Sequence, residues 1–149
     1  MSSDAHTPWT RARVVVNWLN LSTPLGLFMA WIGGASIGRG PRGTFHAPGY
    51  RWGFPIGGAF AVGNVILTTH DQNWMDERPA MMRHEDRHCT QYAWCLGVVM
   101  VPLAGLTMAF SFLVAGDFSS YNPFERLANL EDGGYPPPTT RLSRRTTRR

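Results

Sequence analysis

His84 and His88 stand four residues apart with Glu85 between them, and that spacing constrains this chain more than any other feature. On a helix, residues four apart share a face, so both imidazoles can reach one metal ion. Glu85 projects beside them, where its carboxylate can accept a proton from an ion-acidified water. This is the chemistry behind the zinc-hydrolase pattern H-E-x-x-H. A merely solvated polar helix face is the competing account of the same five residues.

A catalytic zinc takes three protein ligands and leaves a fourth position open. The acidic residues downstream are Asp117, Glu125, Glu131 and Asp132. Glu125 is the best placed of them. Asn122-Pro123 is a helix-start signal, Asn122 as N-cap and Pro123 at the first position, which puts Glu125 in a first turn with a fixed direction. Ala128, three residues on, is small enough to let this helix approach the His-bearing one. An acidic residue in a first turn also complements the helix N-terminus, and that is the rival role for Glu125. His70 is the upstream alternative ligand. Gln91 follows His88 by three on the same face, where it can hydrogen-bond a ligand or an incoming carbonyl. With Asn122 it forms the expected supporting layer around the ligands.

Charged residues are only 16% of the chain and unevenly placed. With His counted neutral, none interrupts residues 14–38, 52–69 or 88–116, and two of those windows reach the ~20 residues a bilayer helix needs. The expectation is a membrane-associated protein, at the cell membrane, with lipid as a partner. The first window is interrupted by Asn17, Asn20 and Pro24 and lacks a cleavage site of small residues, so it reads as an anchor and not a secretory signal. All fourteen basic residues are Arg, five of them in the last nine positions. Residues 136–149 therefore read as a disordered Arg-rich tail, cytoplasmic or lying against anionic lipid. No aromatic-basic platform accompanies the tail, so nucleic acid is not an expected partner. Cys89 and Cys95 fall on different faces of one helix and read as packing residues.

The elements predict an α+β fold, mainly α, in a single domain over residues 1–135. An apolar N-terminal helix over 11–37 breaks at Ser22-Thr23-Pro24. An exposed Gly- and Arg-containing loop covers 38–48. A small β-hairpin is drawn from 50–55 and 58–69, followed by a turn at Asp71-Gln72-Asn73. The H-E-x-x-H helix runs over 79–96, a second apolar helix over 103–115, and a short Glu-bearing helix over 123–130. Trp74, Tyr92 and Trp94 are expected as core or interface aromatics.

An H-E-x-x-H helix followed by an E-x-x-A helix resembles the gluzincin class of zinc metallopeptidases. More closely, the chain resembles a group of small bacterial membrane-associated proteins. These share G-N-V-I (here residues 63–66), H-E-x-x-H-x-x-Q followed by a glycine (His84 to Gln91, then Gly97), and N-P-F-E-x-x-A (Asn122 to Ala128). The resemblance covers residues 14–135. It implies zinc on His84, His88 and Glu125 with Glu85 as general base, and it carries over no substrate; the expectation of a peptide or protein substrate comes from the zinc-hydrolase chemistry of the motif. The chain departs from the gluzincin pattern at Asn129, where a carboxylate that orients a histidine ligand is often found.

A shared ion also constrains topology. Its ligand atoms must lie within about 4 Å of one another, yet residues 98–116 are nineteen without charge, about 28 Å as one helix. A simple span would separate His88 from Glu125 by a bilayer. The segment is therefore expected to fold back, broken at Pro102 and the Gly97/Gly105 pair or running back along the His helix, with residues 117–121 closing the return. Two accounts from other classes remain beside the hydrolase. One is a non-catalytic membrane protein tied together by a closed metal or polar site; the other is a scaffold acting through its Arg tail.

Overall fold

The computed structural model describes residues 7–53 and 58–138; the Arg-rich end of the tail, 139–149, lies outside them. Helix α1 (Pro8–Leu19) starts where local chemistry tells it to. Thr7 Oγ1 accepts the Thr10 N–H at 3.1 Å, and Pro8 occupies the first turn. Leu21 then takes a left-handed conformation (φ 66°), and the chain enters α2 (Ser22–Ile32) at a bend of 70°. The break thus falls just before Ser22-Thr23-Pro24. Pro24 sits in the first turn of α2, where an N–H has no helical partner to lose.

Buried polar side chains hold that elbow. The Asn17 amide donates to Asn64 Oδ1 (2.9 Å) and the Cys89 carbonyl (2.8 Å), and the Asn64 amide donates to Thr23 Oγ1 (2.9 Å) and the Val14 carbonyl (3.2 Å). Gly63, beside Asn64, adopts φ 62°, and a Cβ there would run into the Thr23 backbone. The G-N-V-I segment is thereby a joint between sheet and helices. Arg13, with a fully buried side chain, ties α1 to the His-bearing helix by an ion pair with Asp86 (2.7 Å), which Arg42 also meets at 3.1 Å.

Four short strands, β1 (Gly38–Arg39), β2 (Phe45–Ala47), β3 (Phe60–Val62) and β4 (Val65–Leu67), form one sheet in the order β1-β2-β4-β3. The β3–β4 pair forms a hairpin joined at Gly63-Asn64, with both strands inside 58–69 where one strand was expected there and the other in 50–55; β2 runs parallel to β4 and antiparallel to β1. The exposed loop expected over 38–48 is corrected: Phe45-His46-Ala47 pairs with β4, and Ala47 is fully buried. Residues 50–53 are irregular, and 54–57 lie outside the described residues. Asp71 opens helix α3 (Gln72–Asp76), accepting the Trp74 N–H at 2.9 Å, where a simple turn was expected.

The His-bearing helix is α4 (Pro79–Trp94). The chain reverses at Leu96 (φ 57°) and Gly97 (φ 72°) and passes through one 3-10 turn into α5 (Met100–Ala115). The segment does fold back, but Pro102 and Gly105 do not break it. Pro102 stands in the first turn of α5, where it is tolerated, and Gly105 lies inside an unbroken helix. Asp117 closes the following turn by accepting the Ser119 and Ser120 N–H groups, and the Tyr121 N–H donates to Ser111 Oγ on α5. Helix α6 (Pro123–Leu127) is shorter than expected.

The core lies where α2 and α4 meet the sheet, around Tyr50, Val62, Val65, Leu67, Tyr92 and Met100. Helix α5 contributes little to it. Leu106, Phe110 and Leu113 are 69%, 54% and 73% exposed. Gly97–Ala115 is the one helical stretch among the described residues long and apolar enough to cross a bilayer, with α1 and α2 qualifying only as a bent pair.

Candidate metal centre

The structure brings His84, His88 and Glu125 together, from α4 and α6, with His84 buried and the other two half-buried. His84 Nε2 lies 3.0 Å from Glu125 Oε2 and 3.0 Å from His88 Nε2, and His88 Nε2 lies 3.6 Å from Glu125 Oε1. A tetrahedral ion with bonds of ~2.0–2.1 Å has ligand atoms roughly 3.3 Å apart along each edge. Each residue offers one ligand atom within 4.8 Å of the others, spacings that one such ion can bridge, and these three residues form the only such group found among the described residues.

The outward nitrogens decide what the inward ones can do. His84 Nδ1 lies 2.9 Å from the Asn129 carbonyl oxygen, and His88 Nδ1 lies 2.8 Å from Gln91 Oε1. Both oxygens accept, so both Nδ1 atoms carry hydrogen and both Nε2 lone pairs point at each other and at a carboxylate. Such a cluster of acceptors repels itself unless a proton or a metal cation joins it. Gln91 is itself held by donating its amide N–H to the Phe124 carbonyl at 2.8 Å, and Asn122 caps α6 by accepting the Phe124 N–H at 3.0 Å. Ala128 is fully buried at the α4–α6 approach, where Arg87 donates to its carbonyl at 2.8 Å.

The protonation equilibria follow from this geometry. Burial would lower the His88 pKa, but contact with Glu125 and the nearby Glu85 charge outweigh it and raise it to about 9. His84 is raised in the same way, against burial and the neighbouring His88. Burial would raise Glu125, but its two histidine partners hold it down at about 2. Without an ion the cluster keeps a proton instead, and the two must compete.

Glu85 does not join the triangle. It is 3% exposed, and its Oε2 has no hydrogen-bond partner among the described residues. Burial raises its pKa, against the pull of both histidines, and the Ala61 backbone N–H on β3 donates to it. Glu85 and the three clustered side chains line one cavity of about 330 Å³, enclosed by α2, β3, α4, α5 and α6. A carboxyl group with a raised pKa, one free oxygen and access to that cavity is suited to taking up and passing on a proton.

The other candidates are engaged elsewhere. Asp117 serves its own turn, and Asp132 pairs with Arg87 (2.6 Å) and Arg83 (3.3 Å). Glu131 is exposed, and His70 stacks on Trp74 at 4.3 Å. Cys89 is buried and Cys95 is free, as packing residues would be. Trp94 is exposed and Tyr92 is buried against the cavity.

Two contributors escaped the sequence reading. The carbonyl of Asn129, a residue at φ 72° just past α6, orients His84 where a carboxylate was sought. Tyr135 donates its hydroxyl to Glu125, and its ring lies 5.8 Å from His84. The Gly133-Gly134 pair between them was a signal, since a Cβ on Gly133 would meet His84 Cε1 at 2.7 Å. No protein-family model, curated protein or solved structure matches this chain.

Proposed function

We propose that this protein is a membrane-associated, zinc-dependent hydrolase acting on amide bonds, a peptidase in the first instance. The observation that carries the metal is the paired Nδ1 anchoring, which leaves two Nε2 lone pairs and the Glu125 carboxylate converging on one point. Three protein ligands leave a fourth position, the arrangement of catalytic sites, whereas a structural tie is closed by four. Bound there, zinc supplies Lewis acidity toward a carbonyl and a water.

The chain's own residues supply the rest. His84, His88 and Glu125 hold the ion; Asn129 and Gln91 fix the two rings; Asn122 sets the direction of α6. Glu85 accepts the proton of the attacking water and delivers it to the leaving nitrogen, a task its raised pKa favours. Tyr135, on the cavity wall, can turn its hydroxyl from Glu125 to a substrate oxygen.

Support for the membrane comes from α5, apolar on every side and mostly uncovered, and from the exposed Trp9, Trp18, Trp31 and Trp94. Such rings sit well at a bilayer interface. Asp86, Arg83 and Arg87 are ion-paired and line a different cavity from the one beside His84 and Glu85, which supports a polar, water-facing side of α4.

The test is the Glu85→Gln variant, assayed with the wild type for zinc content and for cleavage of a fluorogenic peptide library in vesicles. The reading expects unchanged zinc and at least a hundredfold loss of cleavage. Full cleavage by a zinc-loaded Glu85→Gln protein would refute the assigned base.

A further inference from the structure

The cavity beside the cluster is chemically lopsided. Its polar groups, among them Glu85, Glu125 and Tyr135, all belong to the metal end, and no Lys or Arg among the described residues lines it. The remaining wall is hydrocarbon from α2, β3 and α5, with Met29, Phe60, Val62 and Met100 among its residues. Away from the outer edge of β3, the α2 and α5 walls offer nothing to pair the N–H and C=O groups of a peptide backbone, which are costly to bury unpaired. A hydrocarbon chain makes no such demand. At the ~30 Å³ that a water-sized group occupies in a liquid, the volume of about 330 Å³ holds on the order of ten carbon atoms, more than an aliphatic side chain supplies.

The way in is on α5. Val101, Gly105 and Met108 line the cavity and are themselves exposed, Val101 at 49% and Met108 at 37%. At spacings of four and three they form one stripe along the helix. Gly105 lies in its middle, and a Cβ built there would meet nothing within 4 Å. The gap is open space on the least covered and most apolar helix of the protein, the one the hydrolase reading gives to lipid.

We propose that this cavity receives a long, uncharged hydrocarbon chain carried by the substrate next to its scissile amide, and that the chain enters from the lipid side past Gly105. The substrate class is thus an acyl-chain-bearing amide. This inference rests on the metal-dependent reading of the cluster and narrows it.

The experiment uses the full chain in vesicles, loaded with cobalt(II), whose visible absorption changes when a hydroxamate joins the ion. Acetohydroxamate, decanohydroxamate and the hydroxamate of Leu-Leu are titrated into wild type, Gly105→Ala and Gly105→Trp. Comparison within the same vesicles cancels partition of the probes into lipid. The proposal expects all three proteins to take up cobalt and to bind acetohydroxamate alike. Gly105→Trp should bind decanohydroxamate at least tenfold more weakly than wild type, with Gly105→Ala unchanged.

Equal decanohydroxamate binding by wild type and Gly105→Trp, with cobalt bound, overturns the chain pocket and leaves the metal reading standing. A loss confined to the Leu-Leu probe overturns the acyl assignment in favour of a peptide. Failure of the wild type to take up cobalt overturns the metal reading itself and this inference with it.

Discussion

His84 Nε2 and His88 Nε2 face each other at 3.0 Å, although the other nitrogen of each ring already donates to an oxygen. Two neutral rings so anchored bring lone pair against lone pair, with the Glu125 carboxylate closing the third side. The arrangement calls for positive charge at one point, and a bound proton or a metal ion can meet the need.

Metal binding should be strongly pH-dependent. In the metal-free protein His88 keeps its proton up to about 9, so an incoming zinc must displace it. Apparent zinc affinity should rise roughly tenfold per pH unit between about 6.5 and 9 and then level off. Calorimetry in buffers of different ionisation enthalpy should find about one proton released per zinc at pH 7.5. Affinity independent of pH across this window would contradict the assignment.

Stability without metal should show the opposite trend. A histidine whose pKa is raised by folding stabilises fully below its unfolded value of 6.5, and the contribution is lost as pH rises through about 9. Glu125, held at about 2, contributes above its unfolded value near 4.5, and this is lost as pH falls through about 2. The thermal stability of the metal-free protein should therefore fall from pH 6.5 to 9, and zinc should abolish or reverse the decline.

Gln91 should matter to the metal more than to the fold. It accepts from His88 and donates to the Phe124 carbonyl, linking a ligand ring to the helix that carries Glu125. Gln91→Leu should weaken zinc binding 10–100-fold, the range found for partners of metal ligands. Gln91→Glu keeps the acceptor and should recover part of the loss. Competition with a chromophoric chelator measures both.

Asn64 is a structural prediction. Its side chain is buried and bonded to Asn17, Thr23 and the Val14 carbonyl. Asn64→Ala leaves several of those groups unpaired, at about 1–3 kcal/mol for each buried partner. The melting temperature should fall by several degrees while residual folded protein binds zinc normally.

Much of this was legible in the sequence because its signals are local. Pro79 and Asn122-Pro123 mark helix starts through cap chemistry, and the spacing of His84 and His88 needs only a helix to become geometry. The convergence with Glu125 followed from valence, which in turn required residues 98–116 to fold back. The place of the reversal was legible only in part: Gly97, expected as a break, does sit at the turn, but the left-handed Leu96 before it has no residue signature, and Pro102 and Gly105 look like breaks and are not. Strand β2 was hidden because three residues between Gly- and Arg-rich neighbours carry no period. The Asn129 contact was missed for another reason: a backbone carbonyl can belong to any residue, and only the path of the chain puts it against His84.

The most direct test of the metal centre is zinc content per chain, measured by elemental analysis on wild type and Glu125→Ala purified under identical conditions. The geometry predicts about one zinc in the wild type and little or none in the variant, since two histidines alone leave half of a four-coordinate ion unheld. Equal zinc in both proteins would remove Glu125 from the site and with it the centre described here.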